Sequence, residues 1–218
     1  MEYLRYLDYS RLPNDRSVVI GCVAAFVVFN QLLRYRRYRL INHAPIVTDK
    51  QLDMNAVHTL FLHSFAGFPW SMGKSLGFAL FRTYGIPTIS RLLVKTAEFG
   101  ASAVKRGDDT GLIIDTFLEN APNSEESLRA IKRMNYIHDQ YRGKISNDDF
   151  LYTLSVFVFC PIRWMRKYEW RAMSPREEEL HFLIWRDIGE KMGIDKIPND
   201  TRIREMGREV RRGAHDIC

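Results

Sequence analysis

Seventeen consecutive residues, Ser17 to Leu33, carry no formal charge and include Val-Val-Ile-Gly-Cys-Val-Ala-Ala-Phe-Val-Val-Phe; the run ends at four arginines, Arg34, Arg36, Arg37 and Arg39. A segment this apolar has to bury its side chains and pair its backbone internally, in lipid or in a protein core. As a helix it is roughly 25 Å long, short against a hydrocarbon thickness of about 30 Å, which suits a thin membrane such as the endoplasmic reticulum. On its other side Arg5, Arg11 and Arg16 are offset by Glu2, Asp8 and Asp15, so the positive-inside rule directs the downstream chain to the cytosol. A cleaved signal peptide would need a distinctly positive leader and a small-residue cleavage site, and neither precedes Arg34. A buried core helix fits the length but leaves the charge asymmetry unexplained. The expected organisation is a short lumenal N-terminus (1–16), a single-pass anchor (17–33), a basic juxtamembrane linker (34–47) and one helical domain (48–218).

The chain has 218 residues, 46% of them hydrophobic and 12% aromatic, enough for one packed domain beyond the anchor. Its net charge of +6 is concentrated in the first arginine cluster and in a second, Arg202, Arg204, Arg208, Arg211 and Arg212. Basicity confined to two patches, one beside an apolar span, points to a membrane rather than to nucleic acid. The three cysteines, Cys22, Cys160 and Cys218, form no paired framework, in keeping with a reducing compartment.

Helical punctuation dominates the chain beyond the anchor. Thr48 to Asp53 is expected to open a helix containing His58 and His63, which are five apart and do not share a face. Phe65 to Leu80, rich in glycine and aromatics, reads as a close helix approach or an irregular connection. Gly85-Ile86-Pro87 breaks the chain before a segment from Thr88 to Phe99. Asn123 with Glu126 resembles a capping box, and Gly143 stands where a C-terminal cap belongs. Ser146 with Asp149 starts a helix that Pro161 is expected to kink or end. Ser174-Pro175-Arg176-Glu177 starts another that Gly193 ends, and Asp200 to Ala214 is basic and amphipathic. No strand-like alternation of any length appears, so the fold class is all-α.

Most catalytic signatures are missing: there is no phosphate loop, dinucleotide fingerprint, Gly-x-Ser-x-Gly, Cys-x-x-Cys or His-Glu-x-x-His. Glu178-x-x-His181 has the spacing of half a carboxylate-bridged di-iron site, but only one copy exists, and Glu177, Glu178 and Glu179 also suit the first turn of a helix. Cys160 before Pro161 reads as a small buried residue. The sharper constellation runs from Arg106 to Tyr141. Arg106 and Thr110 share a helical face, and Leu128, Ile131, Met134, His138 and Tyr141 form a stripe that turns an imidazole inward. His138 is then either a hydrogen-bonded core residue or a metal ligand; Arg106 is either a surface ion pair or a cation for an anionic cofactor group; Thr110 is either a helix cap or a pocket hydroxyl.

At these residues the chain resembles the family that joins endoplasmic-reticulum-bound oxygenases of the mpaB type to bacterial rubber oxygenases, the latex clearing proteins, most closely its fungal branch. The likeness is carried by the anchor with its arginine flank, by Arg82-Thr83-Tyr84-Gly85-Ile86-Pro87-Thr88-Ile89-Ser90, Lys105-Arg106 to Asp109-Thr110, and Asn135-Tyr136-Ile137-His138. It continues through Asn147-Asp148-Asp149, Tyr168-Glu169-Trp170-Arg171 and Ile188-Gly189 to Ile194. The resemblance implies an all-α domain holding haem b through His138, with Arg106 and Thr110 in the pocket. It also implies an oxygenase that uses dioxygen to cleave a carbon–carbon double bond in an isoprenoid or other lipophilic chain, as in fungal secondary metabolism. Asp109 stands where the rubber branch has lysine, which implies a differently charged pocket. Family members run longer, so a C-terminal truncation at Cys218 is expected. A non-enzymatic, membrane-tethered helical protein is the alternative, and the oligomeric state is left open.

Overall fold

The computed structural model describes residues 15–48, 51–95 and 103–198, and the side chains within them apart from those of Asp15, Thr48 and residues 103–106. Eight helices appear among the described residues: α1 (Asp15–His43), α2 (Met54–Phe65), α3 (Pro69–Thr83), α4 (Pro87–Lys95), α5 (Ala103–Glu119), α6 (Glu125–Asp139), α7 (Asn147–Tyr168) and α8 (Pro175–Lys191). The all-α reading holds, with one minor departure: a hairpin of two-residue strands, β1 (Val47–Thr48) and β2 (Gln51–Leu52), stands where the spacing predicts the opening of a helix. That helix starts later because the Asp53 carboxylate caps it, accepting from the backbone N–H of Asn55 and Ala56.

The chain divides into two compact units, residues 1–40 and 41–218. In the first, α1 runs straight through the arginine cluster, so the expected linker is largely helical. Its stretch Arg16–His43 is long and apolar enough to cross a membrane, with a mean hydropathy of 1.8 over its most apolar window, and none of that window is buried within the chain.

The second unit has one continuous hydrophobic core running from Ile41 to Ile194. Helices α3 and α7 form its most extensive pair, α2 packs on α8, and α5 packs on α6. Helix α3 replaces the expected irregular connection: Ser71, Met72, Ser75, Leu76 and Ala79 face the core, while Gly73 and Gly77 face open space and mark no close approach. The close approach lies elsewhere. A Cβ at Gly189 would meet the terminal methyls of Ile197 at 2.8 Å and Leu154 at 2.9 Å, so a larger residue there would have to push both side chains aside.

Pro161 neither ends nor visibly interrupts α7, which continues to Tyr168. Proline lacks the N–H that would bond the carbonyl four residues back, and here that carbonyl, Phe157, accepts instead from His181 Nε2 on α8 at 3.1 Å. Capping explains the helix starts. Ser146 with Asp149 and Ser174 with Glu177 are complete capping boxes, as the spacing predicts. Helix α6 is capped by Ser124, one residue later than expected, with no box. At the end of α8, Gly193 (φ +74°) and Ile194 return their N–H groups to Glu190 and Gly189, the Schellman pattern that glycine favours. Gly143 (φ +79°) belongs to the turn after α6 rather than to its cap, which is Gln140.

Candidate functional site

Helix α6 sets the orientation of His138. Its inward side runs through Ser127, Ala130 and Ile131, continues through Met134 against the core, and reaches His138 in the last turn. Leu128, expected on this stripe, is 45% exposed instead, so the buried face is rotated by one residue at its start. His138 is half-buried, with Nδ1 shielded from solvent and its ring edge-on to Phe150 at 5.2 Å. The imidazole borders a cleft of about 370 Å³ whose walls include Asn135, Arg142, Phe150, Lys191 and Met192.

Polar contacts pin this cleft together from four helices. Asn135 Nδ2 donates to the Lys191 carbonyl at 3.1 Å, tying α6 to the end of α8. Asn147, first residue of α7, exchanges two hydrogen bonds with the backbone of Asp195, at 3.0 and 2.9 Å. Lys191 Nζ donates to the Pro122 carbonyl and to Asp187, both at 2.6 Å, which holds the α5–α6 connection on α8. Thr88 Oγ1 donates to Asp149 at 2.5 Å and joins α4 to α7. Burial alone would push the Asp149 carboxyl up, but hydrogen bonds from Thr88 and Ser146 outweigh it and hold the group below the ordinary carboxylate value. Of the segments that carry the family resemblance, those around 135 and 188–194 line the cleft, and those around 88 and 147 bond to residues next to its walls.

Helices α5 and α6 are joined by only five residues, so they run antiparallel. Arg106 stands thirteen residues before the end of α5 and His138 thirteen after the start of α6, which sets both about 20 Å from the connection. Thr110, half-buried, lies about one turn nearer to it. The side chain of Arg106 lies outside the described residues, as does the basic segment 200–214.

Two other histidines, His58 and His181, behave as core groups. His58 is buried with Nε2 at 2.9 Å from the Leu118 carbonyl. His181 is fully buried, stacked on Phe61, and burial pushes its imidazole down to about 4 despite the hydrogen bond to Phe157. Glu177 is no solvated first-turn acid. It is fully buried and grips Arg171 through two contacts of 2.6 and 2.8 Å, while accepting from Ser174 N–H and from the Ser64 hydroxyl. The spacing of Ser174 and Glu177 signals the cap; nothing local in the sequence signals that Arg171 folds back onto it. Among the described residues no three His, Cys, Asp or Glu side chains stand close enough to hold a metal ion together, so the di-iron alternative finds no cluster there.

A family model described as "ER-bound oxygenase mpaB/B'/Rubber oxygenase, catalytic domain" matches residues 51–211. The chain belongs to this family. It is 33% identical to "ER-bound oxygenase mpaB" of Penicillium roqueforti (strain FM164), over 85% of this chain and 65% of that protein. It is equally identical to the mpaB of Penicillium brevicompactum, over 88% of this chain and 51% of the relative, and to that organism's mpaB', over 88% and 48%. The chain therefore spans from about half to just under two thirds of the length of these mpaB-type relatives. No solved structure matches it.

Proposed function

We propose that this chain is a haem-dependent oxygenase unit tethered by α1 to the endoplasmic reticulum membrane, facing the cytosol, and acting on a double bond in an isoprenoid or other lipophilic chain. The reading rests first on His138, the imidazole that borders the cleft lined by the segments around 135 and 188–194. The donor set fits a singly ligated iron porphyrin. One imidazole lines the cleft and Phe150 and Met192 supply apolar wall, while the cations at its rim, Arg142 and Lys191, are paired with Asp139 and Asp187. When bound, haem b would supply the activation of dioxygen.

The chain's own residues have three tasks in this reading. His138, oriented by its contact with Phe150, would hold the iron. Thr110 and Arg106, on the neighbouring helix at the same end of the pair, would orient the haem by hydrogen bonding and fixed positive charge. The apolar flank of α7 keeps water from the reacting chain. Support for the oxygenase class comes from family membership, and support for the membrane from α1 and from relatives named as ER-bound.

The full chain, expressed with excess haem and purified in detergent, is expected to show a Soret band and a pyridine haemochrome of haem b, and His138→Ala is expected to lose both. A band that survives that substitution removes His138 as ligand. A second reading is a membrane-tethered helical protein without catalysis. It predicts no haem uptake in the unsubstituted chain.

A further inference from the structure

Helix α3 presents its core face in the ordinary way, but its opposite face is not that of a solvated helix. Trp70 and Phe81 are 67% and 64% exposed, and Lys74 and Phe78 lie between them on the same side. The patch continues onto α7 without a break: Phe78 meets Trp164 with ring centroids 5.3 Å apart, and Trp164 meets Tyr168 at 5.2 Å. Tyr168 is 59% exposed and carries Lys167 Nζ over its ring at 5.1 Å. Contiguous exposed aromatic surface of this kind is costly in water and marks a surface with a partner.

Charge indicates which partner. No aspartate or glutamate occurs between Asp53 and Glu98, nor between Phe150 and Tyr168, although the whole chain has 26 of them. Both helices that build the patch therefore supply lysine and arginine there without any acid. Amphipathic aromatics beside lysines are the composition of a lipid headgroup boundary, where indole and phenol rings settle and cations meet anionic lipid.

We infer that the aromatic face of α3 and the end of α7 dock on the anionic surface of a bilayer, so that the domain lies on the membrane in addition to being tethered to it. The inference rests on α1 being membrane-embedded, since a tether raises the effective concentration of the face at the bilayer by orders of magnitude.

The full chain is reconstituted into phosphatidylcholine vesicles with and without phosphatidylserine, with benzoylphenylalanine replacing Trp70 or Phe81. Leu112 on α5 and Tyr136 on α6, exposed at 68% and 58%, are replaced likewise as controls. After irradiation, lipid adducts at 70 and 81 are expected to exceed those at 112 and 136 on the order of tenfold, and to rise with phosphatidylserine. Equal adducts at all four positions overturn the proposal. So do crosslinks from 70 and 81 into the same chain or a second copy, which would show protein covering the face. Flotation separates the two failures: a chain that does not float with vesicles lacks the anchor, whereas one that floats without the adduct bias lacks only the docking.

Discussion

Helices α6 and α8 each carry a histidine on an inward stripe, and the chain treats the two in opposite ways. His181 is closed in: it lies on a line with Glu177 and Trp185, four residues to either side, and all three are buried. Its Nε2 proton satisfies the carbonyl that Pro161 frees, and Nδ1 has no hydrogen-bond partner among the described residues. His138 is left half-open at the mouth of a cleft. Periodicity turns both rings inward. What separates a structural imidazole from a candidate ligand is where the ring nitrogens end up, and that depends on a second helix.

The contrast is broken most severely at the closed end. Arg171 lies across the Phe68 ring at 4.7 Å while holding Glu177, whose carboxylate has no exposure to water. Arg171→Met keeps much of the stacked volume but strands a buried negative charge, and is expected to cost about 3–5 kcal/mol. Urea unfolding followed by circular dichroism in detergent measures this. A loss below about 1 kcal/mol would mean that the carboxylate finds water or a proton easily, and that the start of α8 is open to solvent.

Acid tests the same helix more gently. The folded His181 imidazole titrates at about 4 because burial disfavours its charged form, against 6.5 when unfolded. Between those values the unfolded chain binds a proton that the folded chain refuses, so stability is level above pH 6.5, falls as pH drops towards 4, and levels again below. The whole excursion is at most about 3 kcal/mol. His181→Gln, which keeps an N–H donor for the Phe157 carbonyl, is expected to flatten that window relative to the unsubstituted chain. Asp149, held below the ordinary carboxylate value, adds its own loss only at lower pH. An identical pH profile in the His181→Gln chain would show that water reaches the ring.

Local chemistry makes much of this legible in the sequence. The boxes at Ser146 and Ser174, the break at Gly85 to Pro87 and the stop at Gly193 are decided within four or five residues, and the helices begin and end there. The features that escape the sequence depend on distant partners. Pro161 stays inside α7 because a histidine twenty residues further on takes up the carbonyl it frees. Glu177 is buried because Arg171 folds back and Ser64, on α2, meets it. Leu128 and Asn123 miss their expected places by a single residue, since Ser124 rather than Asn123 caps α6 and turns the stripe. For the site, the inward turn of His138 is legible from spacing, but its cleft is not. The walls come from Phe150, Lys191 and Met192 on two other helices and the turn after one of them, brought there by Asn135 and Asn147, polar residues with no periodic signal.

The smallest effect on stability is expected where the largest effect on function is proposed. His138→Ala removes a half-buried ring and its edge contact with Phe150, but the neighbouring core residue Ile131 and the Asn135 tie to α8 remain. In protein expressed without added haem, so that ligand binding does not itself stabilise the fold, the loss is expected to stay under about 1 kcal/mol. A loss approaching that of Arg171→Met would make His138 a second structural histidine like His181, and the cleft a by-product of packing. A small loss together with an absent Soret band would separate the two histidines by role, because a residue kept for chemistry is one whose removal the surrounding packing tolerates.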